Sequence, residues 1–208
     1  MKPSIAIVKC DNYERQNVER AVHEALRLLG GLGQFVKPGQ KVLIKPNALL
    51  SSAPELAATT HPSVIAAVVR EVIKAGGIAL VGDSPGNAYA RVSETMEKTG
   101  IKKATEEAGG RLIYFQQEGV IGKGKIHIAK VALDADVIIN LPKLKTHNLT
   151  AYTGAIKNMF GVVPGFNKTN YHRSYPHPTD FAAAIVDVFA AVKPALNIMD
   201  AIIGMEGP

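Results

Sequence analysis

The residues best suited to chemistry stand just past short apolar runs. Lys45 and Asn47 follow the run KVLIK, separated by Pro46, which holds the residue before it in extended backbone and so directs Lys45. An ammonium beside an amide offers a charge and a directional donor and acceptor, the equipment for holding a small anion. The bland alternative is a strand stop with a snorkelling lysine. Asp83 and Ser84 lie in Gly82-Asp83-Ser84-Pro85-Gly86. Small residues there leave backbone N–H groups free to form an anion nest, or let Asp83 orient a base or bind a metal. An ordinary turn is equally compatible, because the segment has neither the Gly-Lys-Ser/Thr ending of a Walker loop nor three-glycine dinucleotide spacing.

The densest group is Asn140-Leu141-Pro142-Lys143-Leu144-Lys145-Thr146-His147, followed by Thr153-Gly154-Ala155-Ile156-Lys157-Asn158. Lys143 and Lys145 are two apart and point the same way in extended backbone. Thr153-Gly154 is a candidate helix opening whose N–H groups add donors. Lys45, Lys143, Lys145 and Lys157 thus read as electrostatic clamps for a phosphate or carboxylate. Asn47, Ser84 and Asn158 read as orienting groups, and Asp83 or His147 as the acid or base. A solvated basic loop is the competing reading.

His61, His147, His172 and His177 all fall in predicted loops, but none has a metal-binding spacing such as His-Glu-x-x-His, so no metal site is expected. His23 and His127 read as plain helix and strand positions. The single cysteine, Cys10, excludes an internal disulfide and an iron–sulfur cluster held within this chain, and suits a reducing compartment. A small buried residue is its expected role. No apolar run reaches the length of a membrane span, so cytoplasmic placement is expected.

The formal charge, 24 − 18 = +6, favours anionic ligands without demanding nucleic acid. Lys168 and Arg173 beside Tyr171, His172 and Tyr175 are what a rival, non-catalytic nucleic-acid-binding reading would use. Salt separates the two, since nucleic-acid binding weakens steeply as salt rises.

Regular elements must bring these breaks together. Hydrophobic residues form 47% and charged residues 20% of the 208-residue chain, which predicts one folded α/β domain over residues 1–208. Ser4–Lys9 reads as a first strand, followed by a helix with Val18, Val22, Leu26 and Leu29 on one face. Lys41–Lys45, Ile78–Val81, Leu112–Phe115 and Asp136–Leu141 read as buried strands, Lys125–Lys130 as an edge or hairpin arm, and Leu196–Met199 as the start of a last strand. Helices are expected after a Thr or Ser cap near Thr60–Ser63, over about Val92–Ala108, and after Thr179 or Asp180. Residues 143–178 read as a long loop insertion near the site, with one short helix over Gly154–Phe160. This alternation predicts a mostly parallel, doubly wound sheet with helices on both faces. In such sheets ligands sit beyond the carboxyl ends of the strands, where Lys45, Asp83, Asn140 and Asp200 fall.

Six segments in order, VLIKPN (Val42–Asn47), ATTHPSVI (Ala58–Ile65), VGDSPG (Val81–Gly86), NLPKLKTH (Asn140–His147), TGAIKNMFGVVPG (Thr153–Gly165) and MDAIIGMEGP (Met199–Pro208), give the chain its family resemblance. It resembles the family called domain of unknown function 362. That resemblance implies a redox setting, because the family is associated with ferredoxin-like iron–sulfur modules. The chain lacks a cysteine-rich module and ends at Gly207-Pro208, so it is expected to be truncated relative to the full family pattern, with one side of the cleft open. The expected function is an enzyme domain of open reaction class binding a small anionic molecule. A docking domain for a ferredoxin-like partner is the third reading, and no cofactor is specified.

Overall fold

The computed structural model describes residues 4–85, 91–123, 126–147 and 150–207. In chain order they form α1 (Arg15–Leu28), β1 (Lys41–Lys45), α2 (Pro62–Lys74), β2 (Ile78–Val81), α3 (Val92–Lys98), α4 (Ile101–Glu107) and β3 (Arg111–Leu112). A hairpin, β4 (Val120–Lys123) and β5 (Ile126–Ala129), leads to α5 (Lys130–Asp134), β6 (Val137–Asn140), β7 (Lys143–His147) and β8 (Ala151–Thr153). Then come α6 (Ala155–Asn158), α7 (Phe166–Ser174), α8 (Pro178–Val192), β9 (Leu196–Asn197) and β10 (Asp200–Met205).

Five strands make the central sheet in the order β3-β2-β1-β6-β9, and every pair is parallel. Alternation along the strands feeds two cores. Val42, Ile44, Val81 and Ile139 pack with α1, α2 and α4 on one face, while Leu43, Leu80 and Ile138 pack with α5 and α8 on the other. Each such fully buried aliphatic side chain contributes about 1.5–3 kcal/mol. The doubly wound arrangement expected from the sequence is therefore the one observed. Strands are added outward from β1 to β3, and the chain then returns to place β6 against the opposite edge of β1. That reversal between β1 and β6 is the topological switch point, where a crevice opens beyond the carboxyl ends.

Several local expectations are corrected. Ser4–Lys9 forms no strand, and Ile5 and Ile7 are 81% and 91% exposed. Its β-branched alternation meets no sheet edge among the described residues, and propensity without a partner strand leaves extended chain. The helix expected over Val92–Ala108 is two helices, α3 and α4, broken where Gly100 takes φ +72°, a left-handed conformation that interrupts helical bonding. The cap of α2 is His61, whose Nδ1 accepts from the Ser63 N–H at 3.2 Å. Thr60 instead donates to the Leu141 carbonyl. Residues 143–178 are no loop, since β7 and β8 pair antiparallel and β10 joins β7 in parallel as a second, three-stranded sheet. The last strand divides accordingly, β9 joining the main sheet and β10 the small one. Cys10 is half-buried. Gly86, the end of the expected nest, and Lys125, the start of the expected arm, lie outside the described residues.

Candidate functional site

A pocket of about 120 Å³ opens at the switch point. Its floor comes from the ends of β1 and β2, through Lys45, Asn47, Asp83 and Ser84. Its walls come from the segment after β6, through His147, Thr153, Lys157, Asn158, Phe160, Gly161, Lys168 and His172, with Phe181 from α8. Of the residues predicted from sequence, all but Lys143 and Lys145 line it.

Lys45, only 1% exposed, is held at the centre of the floor. Its Nζ lies 2.6 Å from Asp83 Oδ1 and donates to the Pro46 carbonyl at 2.7 Å. Burial pushes the ammonium down and the Asp83 carboxylate pulls it back. Asp83 is itself fully engaged, accepting from the Ala48 N–H through Oδ2 and from the Ser84 N–H through Oδ1, both at 2.8 Å. With both oxygens so occupied, it serves as an anchor for Lys45 rather than a free base. Gly161 lies over this pair, and a Cβ there would collide with Asp83 Oδ1 and Lys45 Nζ.

The asparagines form a relay. Asn47 Nδ2 donates to Asn158 Oδ1 at 2.9 Å, Asn158 Nδ2 to Asn140 Oδ1 at 2.8 Å, and Asn140 Nδ2 to Asn197 Oδ1 at 2.8 Å. This chain ties α6 across β1, β6 and β9. Asn47 and Asn158, expected to orient a ligand, are occupied in joining protein to protein and build the pocket floor.

Lys143 and Lys145 do share one face of β7, but that face points inward and both are buried. Lys143 Nζ contacts Asp200 Oδ2 at 2.9 Å and Tyr13 Oη at 2.7 Å, so its charge is matched in a separate cluster. Tyr13 also donates to Asp200 Oδ1 and stacks on His61 at 3.7 Å. Lys145 donates to Asn47 Oδ1 and the Ala58 carbonyl. Burial and the neighbouring Lys157 bring Lys145 down to about 8.

Two other ammonium groups face the pocket. Lys157 has no hydrogen bond or ion pair among the described residues, and burial followed by Lys45 pushes it down to about 8. Lys168, which the sequence suggested only for nucleic acid, is buried against the floor and donates to the Ser84 and Pro85 carbonyls. Burial pushes it down to about 7. No local motif marks Lys168, since its role depends on α7 folding back over the Asp83-Ser84-Pro85 turn. The pocket therefore holds Lys45, Lys157 and Lys168 against one carboxylate, Asp83.

His147 accepts from the Thr150 N–H through Nδ1, and burial, then Lys157 and Lys145, push it down to about 4. It is a neutral imidazole near neutral pH. His172 stacks on Phe181 at 4.4 Å. Thr153 Oγ1 is buried with no hydrogen-bond partner among the described residues. The α6 helix after Gly154 is a single turn of 4 residues, so the donors expected from a helix opening contribute little. Among the described residues no group of three or more His, Cys, Asp or Glu could hold a metal, and no helix is long and apolar enough to cross a membrane.

Fold and pocket together define a doubly wound α/β protein with a lysine-lined crevice at its switch point. The chain belongs to the DUF362 family, described as a domain of unknown function, whose model matches residues 42–208. It is 37% identical over 214 residues to a thylakoid-associated protein of Synechocystis sp., covering all of this chain and 65% of that protein. Among solved structures it is similar to the lactate racemase apoprotein of Thermoanaerobacterium thermosaccharolyticum, with a TM-score of 0.59 and 13% identity over 94% of this chain and 51% of that one. That likeness is one of fold. The chain thus spans about two thirds of the relative and half of the solved neighbour.

Proposed function

We propose that this chain is an enzyme domain that binds a small phosphate- or carboxylate-bearing molecule in the pocket at the ends of β1, β2 and β6. The observation that carries this reading is the charge count, three ammonium groups against one carboxylate, with Lys157 unmatched among the described residues. Crowding cations in a poorly solvated crevice is unfavourable unless an anion completes it. Lys157 and Lys168 supply the attraction, and Lys45 is fixed by Asp83. His147, a neutral imidazole on the wall, adds no charge to the site, while Asp83 acts through Lys45. Phe160 and Phe181 give the organic part of the ligand an apolar wall.

Titration calorimetry with inorganic phosphate tests the reading. One site per chain is expected, and Lys157→Ala should remove a charge-assisted contact of about 1.5–3 kcal/mol, weakening binding roughly ten- to a hundredfold. Phosphate binding that is absent, or equal in Lys157→Ala, overturns it.

A further inference from the structure

We propose that Lys157 is a covalent nucleophile, whose amine forms an imine with the carbonyl carbon of an anionic aldehyde or ketone held in this pocket. The proposal deepens the anion-site reading and rests on it for the choice of ligand.

The geometry singles out this lysine. An attacking amine needs an accessible lone pair, and giving up a proton must not break a structural hydrogen bond. Lys45 is bound to Asp83 and the Pro46 carbonyl, Lys145 to Asn47 and the Ala58 carbonyl, and Lys168 to the Ser84 and Pro85 carbonyls. All three spend their N–H groups holding the pocket together. Lys157 alone among the described pocket lysines has no acceptor, and it is half-buried where a ligand would reach it. Lys168 is brought lower, to about 7, but its two carbonyl acceptors favour the ammonium and keep it out of the reaction. With its pKa brought to about 8, roughly one Lys157 in ten is neutral at pH 7, against far fewer than one in a hundred for an ordinary lysine.

The surroundings fit the sequence of steps. The Lys157 lone pair adds to the carbonyl carbon, the carbonyl oxygen takes a proton, and the nitrogen loses one, giving a carbinolamine. Loss of water then gives the carbon–nitrogen double bond. The neutral His147 imidazole on the same wall adds no further cation beside Lys157, and solvent entering the pocket carries the protons. Lys45, Lys168 and the ligand's own anion keep the charge balanced while Lys157 becomes neutral.

The experiment is reductive trapping. The folded chain is mixed separately with pyridoxal 5′-phosphate and glyoxylate, both anionic aldehydes, reduced with cyanoborohydride, digested and mapped by mass spectrometry. Hydride converts the imine into a stable secondary amine. Lys157 should be labelled at least about tenfold faster than the exposed lysines, as its larger neutral fraction requires, and inorganic phosphate should slow the labelling. Lys157→Arg keeps a cation but has no nucleophilic amine, so it should lose the fast label. Label spread evenly over surface lysines, or an unchanged rate in Lys157→Arg, overturns the proposal. If neither protein binds phosphate, the anion-site reading fails by itself, and uncharged propionaldehyde then decides Lys157: preferential labelling supports the nucleophile, and even labelling refutes it.

Discussion

A buried lysine with a carboxylate beside it and one without leave different marks on stability. Lys143 and Asp200 are both fully buried and 2.9 Å apart, so Lys143→Ala strands a carboxylate in the interior. Urea denaturation should report a loss of about 3–5 kcal/mol, and joint replacement with Asp200→Leu should restore most of it. Retention of full stability by Lys143→Ala alone would show that water reaches Asp200. Lys157 and Lys168 carry the opposite signature. Their folded values, about 8 and about 7, lie below the ordinary 10.5. Between those values and 10.5 the unfolded chain binds more protons, so stability rises with pH over about 7.5 to 9.5, by about 1.4 kcal/mol per pH unit for each whole proton of difference. A bound phosphate would keep both lysines charged and flatten that slope. Thermal denaturation across the window, with and without phosphate, measures both effects, and a flat profile in the free protein would contradict the buried cations.

At the scale of elements, the pocket depends on the turn after α6 lying tightly over the end of β1. Gly161 permits this approach because any Cβ there meets the Lys45–Asp83 pair. Gly161→Ala should therefore lower stability by about 1–3 kcal/mol through overpacking. It should also weaken phosphate binding, which calorimetry on the folded variant would read. The segment before α1 predicts the reverse. Ile5 and Ile7 are exposed, so replacing both with Ser should leave the melting transition of this chain within about 0.5 kcal/mol of its starting stability. A larger loss would mean that the segment packs as the strand its alternation suggested.

For the molecule as a whole, the +6 charge would draw any polyanion, and salt distinguishes a pocket from a surface. Phosphate held by the two ammonium groups of Lys157 and Lys168 should lose no more than about tenfold in affinity from roughly 50 to 200 mM salt, whereas a nucleic acid bridging six or more cations would lose about a thousandfold. Parallel titrations with phosphate and duplex DNA would decide, and a steep slope with no saturating phosphate site would favour the nucleic-acid reading.

The local sequence was sufficient for the alternation of strands and helices, because buried parallel strands are short apolar runs closed by Pro, Gly or Asn. It also marked Lys45, Asn47, Asp83, Ser84, His147, Lys157 and Asn158, since the ends of parallel strands must meet on one edge. Family membership was legible for the same reason, the motifs being those strand ends. Partnership was not legible. Whether a lysine faces a ligand or a carboxylate depends on residues far away in sequence: Lys143 is matched by Asp200, Lys145 by Asn47 and Ala58, and Lys168 by the turn at Ser84 and Pro85. Ser4–Lys9 likewise has strand propensity, but a strand exists only where another backbone offers its hydrogen bonds. Composition and periodicity act through neighbours in the chain, whereas charge matching and strand pairing act through neighbours in space, and only the tertiary fold decides which those are.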